Sequence, residues 1–191
     1  MADERRALRQ RLRVLRREVP AGARPGAAAA IDRALASLGL PRANSRISAF
    51  HPFDGEIDPS KVIRRARALG CEVYYPVITS LRARRMRFVA PDAARGRDTI
   101  NPRWLDLVLV PLVGFDARGQ RLGMGAGFYD RHFAFLRHRT AWRRPLLLGL
   151  AFDVQRVDRL AEAAHDVPLW GVVTERGIYG KAAAQTADVA R

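Results

Sequence analysis

Leu105–Val110 reads LDLVLV, a nearly unbroken apolar run that indicates a β-strand buried on both faces. Residues 146–151 (LLLGLA) form a second such run. Around these runs the chain alternates between predicted strands and predicted helices. The other strands are Ile47–Phe50, Glu72–Val77, Met86–Val89 and Gly171–Thr174, and the helices cover 3–19, about 26–38, 58–69 with Asp58 as N-cap, and a segment starting near Phe128. The alternation predicts an α/β fold, a three-layer α/β/α sandwich with a mostly parallel sheet.

The composition fits one globular domain. The chain has 191 residues, 48% of them hydrophobic, which is enough for a buried core. We predict a single domain over residues 1–180 and a flexible tail over 181–191. The N-terminus lacks the apolar stretch of a signal peptide, and no apolar run is long enough to span a membrane. A single cysteine, Cys71, excludes an internal disulfide, so we expect a buried thiol in a soluble, cytoplasmic protein.

The charge is strongly basic. The sequence holds 34 Lys and Arg residues against 19 Asp and Glu, for a net charge of +15, which favours anionic partners. Only Lys61 and Lys181 are lysines, so a coding bias toward arginine explains the surplus as well as a binding surface does. RNA readers usually interleave exposed aromatic and basic residues, and here most aromatic residues fall in apolar strands or beside glycines. The alternative function is a module that binds a polyanion such as RNA without catalysis. We do not expect nucleic acid to be the partner.

The segment Arg121–Asp130 reads RLGMGAGFYD and carries the strongest functional pattern. Its three glycines let backbone N–H groups approach a ligand, and the predicted helix that follows adds unpaired donors at its N-terminus. Arg121 adds a full positive charge. The pattern predicts a phosphate-binding loop, although a tight glycine-rich turn without a ligand has the same composition. Its spacing is neither that of the Rossmann fingerprint nor that of the P-loop.

Asp130 lies in the predicted first turn of the helix after this loop. A carboxylate there ordinarily stabilises the helix dipole. Beside a bound polyphosphate it would be repelled unless a cation separated the two charges. Asp130 is therefore a candidate Mg²⁺ ligand, in the usual pattern of one carboxylate with phosphate oxygens and water.

A second candidate region is His51–Asp58, which follows a predicted strand. Ligands of open α/β sheets bind at the carboxyl ends of the strands, so the position suits function. Glu56 can accept hydrogen bonds from an amino-heterocycle, and His51 is a further candidate. A solvated acidic loop is the alternative.

The first predicted helix carries two stripes. Leu8, Leu12, Leu15 and Val19 form an apolar stripe, and a basic stripe runs beside it. Such a basic stripe is usually a solvated face. The basic residues are Arg6, Arg9, Arg13 and Arg16.

Residues 105–137 (LDLVLVPLVGFDARGQRLGMGAGFYDRHFAFLR) closely resemble the signature of the 5-formyltetrahydrofolate cyclo-ligase family, also called 5,10-methenyltetrahydrofolate synthetase. Three further segments occur in the family's order: RRALR (5–9), FHPFDGEID (50–58) and VPLWGVVTERGIY (167–179). The resemblance implies an enzyme that uses ATP and Mg²⁺ to convert 5-formyltetrahydrofolate, with or without a polyglutamate tail, to 5,10-methenyltetrahydrofolate, ADP and phosphate. It also implies a monomer and a fold related to the sugar-phosphate isomerase and CoA-transferase group.

The resemblance assigns roles to the residues at matching positions. Arg121 and Tyr129 are expected to act in catalysis, and Asp130 to bind Mg²⁺. The residues expected to bind folate are His51, Glu56, Met124, Gly125 and Tyr129. The residues expected to bind ATP are Arg5, Arg6, Arg9, Arg121, Leu122, Gly123, Met124, Gly125, Ala126, Gly127, Phe128 and Tyr129.

Two departures from the family pattern bear on the substrate. Many relatives carry an aspartate, used as a second metal ligand, where this chain has Trp170. The connection before the Leu-Asp-Leu-Val strand is short, over residues 91–104. A family member that acts on another small formylated substrate is therefore a further alternative.

Overall fold

The structure is a computed structural model that describes residues 2–91, 98–139, 144–163 and 166–184. Its strands are β1 Arg46–Ser48, β2 Glu72–Ser80, β3 Arg85–Val89, β4 Thr99–Ile100, β5 Leu107–Pro111, β6 Gly114–Phe115, β7 Arg121–Leu122, β8 Leu146–Leu150, β9 Gly171–Val173 and β10 Ile178–Gly180. Its α-helices are α1 Ala2–Glu18, α2 Arg24–Ser37, α3 Ser60–Ala68 and α4 Phe128–His132.

The central sheet of the described chain has eight strands in the order β10-β9-β8-β5-β1-β2-β3-β4. The five inner strands, from β9 to β2, are parallel, and antiparallel strands flank them at both edges. The predicted α/β class with a mostly parallel sheet is therefore confirmed. Four short strands, β4, β6, β7 and β10, were not predicted, because two or three residues carry no detectable periodicity.

Both faces of the sheet are covered. On β5, Leu107 and Leu109 belong to a core cluster with α2 and α3, whereas Val108 and Val110 belong to a second cluster on the opposite face. Phe133 and its neighbours after α4 complete that second cluster. Because successive side chains of a strand point to opposite faces, a strand in this position needs apolar residues throughout, which explains the LDLVLV run.

Helix α1 packs beside the carboxyl end of the sheet. The predicted apolar stripe is the packed face: Leu12 is fully buried, and Leu8 and Leu15 pack around it. Their partners are Val113, Leu122 and Leu160. The contact between α1 and the small β6–β7 sheet fixes the helix against the segment that leads into the glycine loop.

Asp116 organises the turn between β6 and β7. Its carboxylate is fully buried and accepts hydrogen bonds from the backbone N–H groups of Arg118, Gln120 and Leu160. These bonds and the Arg118 side chain lower the pKa of Asp116, against the effect of burial. These hydrogen bonds fix the conformation of the turn that leads into β7, which begins at Arg121.

Two predicted boundaries shift. Helix α3 begins at Ser60, one residue later than expected, and Pro59 occupies the N-cap position, so the predicted Asp58 cap is wrong. Asp58 lies in the turn before the helix, where its Oδ1 accepts the Ser60 N–H at 2.9 Å. The chain also stays ordered beyond residue 180, since Ala182 is fully buried. Residues 185–191 of the predicted tail, and 92–97 of the short connection, lie outside the described residues.

Cys71 is buried, as expected, and its thiol lies 3.1 Å from the carbonyl oxygen of Arg42. Among the described helices, none is long and apolar enough to cross a membrane.

Candidate ligand-binding cleft

The loop Gly123–Gly127 connects β7 to α4 and forms one wall of a cleft. Gly125 and Gly127 have φ angles of 100° and 66°, in the left-handed region that favours glycine. Met124, Gly125 and Ala126 are exposed, so the loop presents its backbone to the cleft. Helix α4 has only five residues, which makes the expected contribution of a helix dipole small.

Arg121 anchors the loop from below. Its side chain is almost fully buried; Nη1 donates to the carbonyl oxygen of Val167 at 2.9 Å, and Nη2 forms an ion pair with Asp130. The same Asp130 oxygen accepts the Val167 N–H at 3.0 Å. Burial lowers the pKa of Arg121, and the charges of Asp130 and Asp166 oppose that effect. Arg121 therefore stays a paired cation that ties both ends of the loop to the segment before β9.

Helix α1 supplies a second basic wall. Arg9 Nε donates to the carbonyl oxygen of Gly123 at 2.9 Å, and Arg5 lies 3.5 Å from a carboxylate oxygen of Asp166. Both side chains line the cleft. Arg6 is exposed and is not among the described residues that line it. Within the basic stripe of the first helix, Arg9 thus lines the cleft and Arg6 faces solvent, whereas Arg16 is buried.

Glu56 lies on the opposite wall. Its Oε2 accepts the Phe53 N–H at 3.1 Å, and its Oε1 lies 3.6 Å from Nη1 of Arg16. Burial raises the pKa of Glu56, and the charge of Arg16 lowers it. Burial and the charge of Glu56 also raise the pKa of Tyr129, so the Tyr129 hydroxyl stays protonated at neutral pH. Glu56 is therefore a buried acceptor within electrostatic reach of a phenol donor.

These walls enclose a cleft of about 310 Å³. It lies at the carboxyl ends of the parallel strands, with Pro111 at the end of β5 and Ile78 toward the end of β2. Three lining residues were not predicted: Ile78, Pro111 and Asp166. Asp166 directly precedes the closing segment VPLWGVV, and its place beside that segment was the signal that could have found it.

Besides Arg6, two predicted site residues, His51 and Leu122, lie elsewhere. His51 is exposed, stacks on Tyr75 with ring centroids 4.3 Å apart, and is not among the described lining residues. Leu122 is fully buried in the cluster under α1, so its side chain faces the core. Trp170 precedes β9 and lines a different cavity with Leu40 and Arg42. Besides Glu56 and Asp130, the cleft is lined by the carboxylate of Asp166.

No cluster of three metal-ligating side chains occurs within the described ranges. Mg²⁺ does not need one, because it commonly binds one or two carboxylates together with phosphate oxygens and water. Asp130 fits this pattern in part, since its Oδ1 accepts hydrogen bonds from Arg121 and Val167, which leaves its second oxygen as the candidate metal ligand. Asp166 lines the same cleft.

The mostly parallel sheet and the basic, glycine-lined cleft at the carboxyl ends of its strands define an α/β ligand-binding protein. Within that class, the chain belongs to the 5-formyltetrahydrofolate cyclo-ligase family, whose model matches residues 1–175. It is 33% identical over 148 residues to the 5-formyltetrahydrofolate cyclo-ligase of Escherichia coli K12, covering 70% of this chain and 79% of that protein. The Haemophilus influenzae enzyme of the same name is 28% identical, over 90% of this chain and 97% of its own length.

Two solved structures confirm the fold. The 5,10-methenyltetrahydrofolate synthetase from Mycoplasma pneumoniae matches with a TM-score of 0.75 at 24% identity, over 90% of this chain and 98% of that one. The synthetase from Aquifex aeolicus gives 0.69 at 24% identity, over 92% of each chain. The resemblance to the sugar-phosphate isomerase group stays a prediction.

Proposed function

We propose that the protein is a 5-formyltetrahydrofolate cyclo-ligase, which uses ATP to close 5-formyltetrahydrofolate to 5,10-methenyltetrahydrofolate with release of ADP and phosphate. Family membership gives the reaction class. The observation that carries the assignment is the convergence of Arg5, Arg9 and Arg121 around the backbone of Gly123–Gly127 in one cleft, opposite the acceptor Glu56. Such a cleft has a cationic side for a polyphosphate and a hydrogen-bonding side for a heterocycle.

The reaction needs an activated leaving group. The formyl oxygen attacks the γ-phosphorus of ATP, the bond to ADP breaks, and the oxygen becomes a phosphate ester. N10 of the folate then attacks the activated carbon and forms a C–N bond. The C–O bond breaks with loss of phosphate, and the proton of N10 leaves to phosphate or solvent. The protein contributes positioning and charge stabilisation, as in other phosphoryl transfers.

The cationic side chains of the cleft bind the phosphates of ATP. Arg5 and Arg9 present guanidinium groups to the cleft from one side, and the loop offers backbone N–H groups from the other. Arg121 acts beneath the loop, where its pairing with Asp130 keeps the loop in place. Arg6, being exposed, acts on the phosphates only if its side chain turns toward the cleft when ATP binds.

The folate ring binds between Glu56 and Tyr129. A carboxylate accepts hydrogen bonds from a pterin amino group and ring N–H, and the protonated Tyr129 hydroxyl donates to the reacting oxygen. Exposed Met124 supplies apolar surface beside them. His51, outside the cleft wall, contributes at most to its outer edge.

Asp130 and Asp166 are the carboxylates that hold Mg²⁺ in this proposal. A bound Mg²⁺ neutralises charge on the phosphate oxygens. Asp130 contributes through the oxygen that Arg121 and Val167 leave open. Asp166, which lies 3.5 Å from Arg5, would be the second carboxylate to hold the cation.

The substrate's glutamate tail leaves the cleft past the hairpin of β2 and β3. This hairpin carries exposed arginines, and Arg84 lies beside Gly127. We expect them to favour polyglutamylated substrate. The exposed hairpin arginines are Arg82, Arg84, Arg85 and Arg87. We also propose that the protein is a cytoplasmic monomer.

The test follows methenyl product by absorbance, with purified protein, 5-formyltetrahydrofolate, ATP and Mg²⁺. ATP-dependent product is expected. The rate of its formation should fall at least 100-fold in Arg121→Ala and about tenfold in Tyr129→Phe. Arg11→Ala, an exposed position on the same helix as Arg9, is the matched control and should keep full activity. No product from folded protein that binds ATP would reject the folate substrate in favour of another small formylated compound.

A further inference from the structure

Arg16 is a buried guanidinium. Its side chain is 1% exposed, and few charged groups are buried to this degree unless they are paired and hydrogen-bonded. Nη2 donates to the carbonyl oxygen of Asp54 at 2.9 Å and to its carboxylate at 3.0 Å, and Nη1 donates to the carbonyl oxygen of Leu112 at 3.3 Å. Nη1 also lies 3.6 Å from Oε1 of Glu56. One side chain of α1 thus joins the end of β5 to the loop that carries Glu56.

The loop it holds has an unusual backbone. Asp54 has a φ of 54°, in the left-handed region that a non-glycine residue seldom adopts. Three arginines of α1 surround its carboxylate, and the hydrogen bond from Arg17 above all lowers the pKa of Asp54 to about 2. The carboxylate is therefore a permanent anion at neutral pH, which offsets the cost of burying Arg16.

The three arginines are not equivalent. Arg13 and Arg17 contact the Asp54 carboxylate from positions that are 33% and 51% exposed. Arg16 alone among them has contacts to Leu112 and Glu56 as well. If the cluster only fastened α1 to the loop, any of the three would serve, whereas a contact with Glu56 has a direct consequence for the cleft.

We infer that Arg16 is a positioning residue that fixes the Glu56 carboxylate in the folate side of the cleft. The inference rests on the proposed function. Arg16 acts through Glu56 and does not itself line the cleft with the other residues. Its removal should weaken folate binding while leaving the ATP side, held by Arg9 and Arg121, nearly unchanged.

The charge of Arg16 has a second effect. Three groups face Glu56: Arg16 from α1, Asp54 from the same loop and Tyr129 from α4. Burial raises the pKa of Glu56 and Asp54 raises it further, so Arg16 is the group among these that favours the ionised carboxylate. Loss of that positive charge should move the protonation of Glu56 to higher pH.

The test compares Arg16→Lys, Arg16→Gln and Arg17→Ala. Arg16→Lys should raise KM for 5-formyltetrahydrofolate about tenfold, because a single ammonium group cannot reproduce the forked contacts of the guanidinium with Asp54, Leu112 and Glu56. KM for ATP should change less than about twofold. Arg16→Gln should also shift the acidic limb of kcat/KM for folate to higher pH. Arg17→Ala removes an ion pair of Asp54 without touching Glu56 and should leave both KM values within about twofold.

Two further variants test the role of Arg16 independently. In a Glu56→Gln background, Arg16→Lys should have no additional effect on KM for folate. If the Arg16 variants do not fold, Asp54→Asn keeps Arg16 but removes its counter-ion and should raise KM for folate selectively. Equal losses for folate and ATP, or an Arg17→Ala effect as large as that of Arg16→Lys, would overturn the inference.

Calorimetric titration of 5-formyltetrahydrofolate distinguishes failure of the proposed reaction from failure of the positioning role of Arg16. Wild-type protein that binds the folate without turnover contradicts the proposed reaction, and the Kd ratio between Arg16→Lys and wild type then decides the role of Arg16. Wild-type protein that binds no folate contradicts both. Turnover with unchanged KM in every Arg16 variant contradicts the positioning role alone.

Discussion

Arg9 Nε donates to the carbonyl oxygen of Gly123 across 114 residues of sequence, at 2.9 Å. The bond joins the first helix directly to the glycine loop, and Leu12, one turn further along, is fully buried beneath it. Helix α1 is therefore a wall of the cleft, held by an apolar face and by hydrogen bonds. The sequence pattern alone does not distinguish basic residues that line a cleft from basic residues on a solvated helix face.

Arg9→Ala should raise KM for ATP about tenfold, because it removes a cation from the cleft and frees the loop carbonyl. KM for folate should change less. The measurement is initial-rate kinetics with each substrate varied in turn, and Arg11→Ala on the exposed side of the same helix is the control. Equal KM values for ATP in the two variants would exclude a role for Arg9 at the phosphates.

Arg121→Ala should lower the free energy of unfolding by about 3 kcal/mol, since it leaves Asp130 and the Val167 carbonyl without their buried partner. Arg131→Ala, at an exposed position of α4, should change it by less than about 0.5 kcal/mol. Urea unfolding measures both. A loss below about 1 kcal/mol for Arg121→Ala would show that the ion pair is not structural.

Stability should fall in acid through Asp54. The pKa of this carboxyl is about 2 in the folded protein against an ordinary value of 3.8. Because the folded value is the lower one, the ionised carboxylate stabilises the fold above about pH 4, and that contribution is lost as the pH falls toward about 2. The stability difference between wild type and Asp54→Asn should therefore shrink over that interval. A difference that stays constant from pH 5 to pH 2 would contradict it.

Gly171→Ala should destabilise the fold by about 1–3 kcal/mol, because the added Cβ would clash with Ala182 and approach the Tyr179 carbonyl oxygen to 2.6 Å. Gly26→Ala is the opposite control: nothing lies within 4 Å, and alanine in α2 should stabilise by about 0.5–1 kcal/mol. Thermal unfolding of the two variants should show shifts of opposite sign. Equal shifts would mean that the structure around β9 adjusts to the added methyl group.

Much of the fold could be predicted from periodicity. The runs at Leu105–Val110 and 146–151 correspond to β5 and β8, and the apolar stripe of the first helix is its packed face. These features depend on residues close in sequence, where burial on one or two faces leaves a repeating pattern. The glycine loop could be predicted for a similar reason, since positive φ angles restrict the residue type locally.

The electrostatic part of the site could not be predicted in this way. Arg16 looked like one more residue of a solvated stripe, yet it is buried, because its partners Asp54 and Leu112 come from segments far along the chain. Asp166 lines the cleft beside Arg5, its ion-pair partner, which also comes from a distant segment of the chain. Pairings between distant segments leave no periodic signal, so only the tertiary structure assigns such residues to the core, the cleft or solvent.

The ion pair between Arg5 and Asp166 has a consequence for how the protein is made. The helix that carries Arg5 is translated well before its partners at Gly123 and Asp166. Until then α1 is an amphipathic helix with its apolar stripe uncovered, a segment on which chaperones act during synthesis. Nascent chains that stop before residue 166 lack one side of the cleft, so activity should arise only after this residue has been translated.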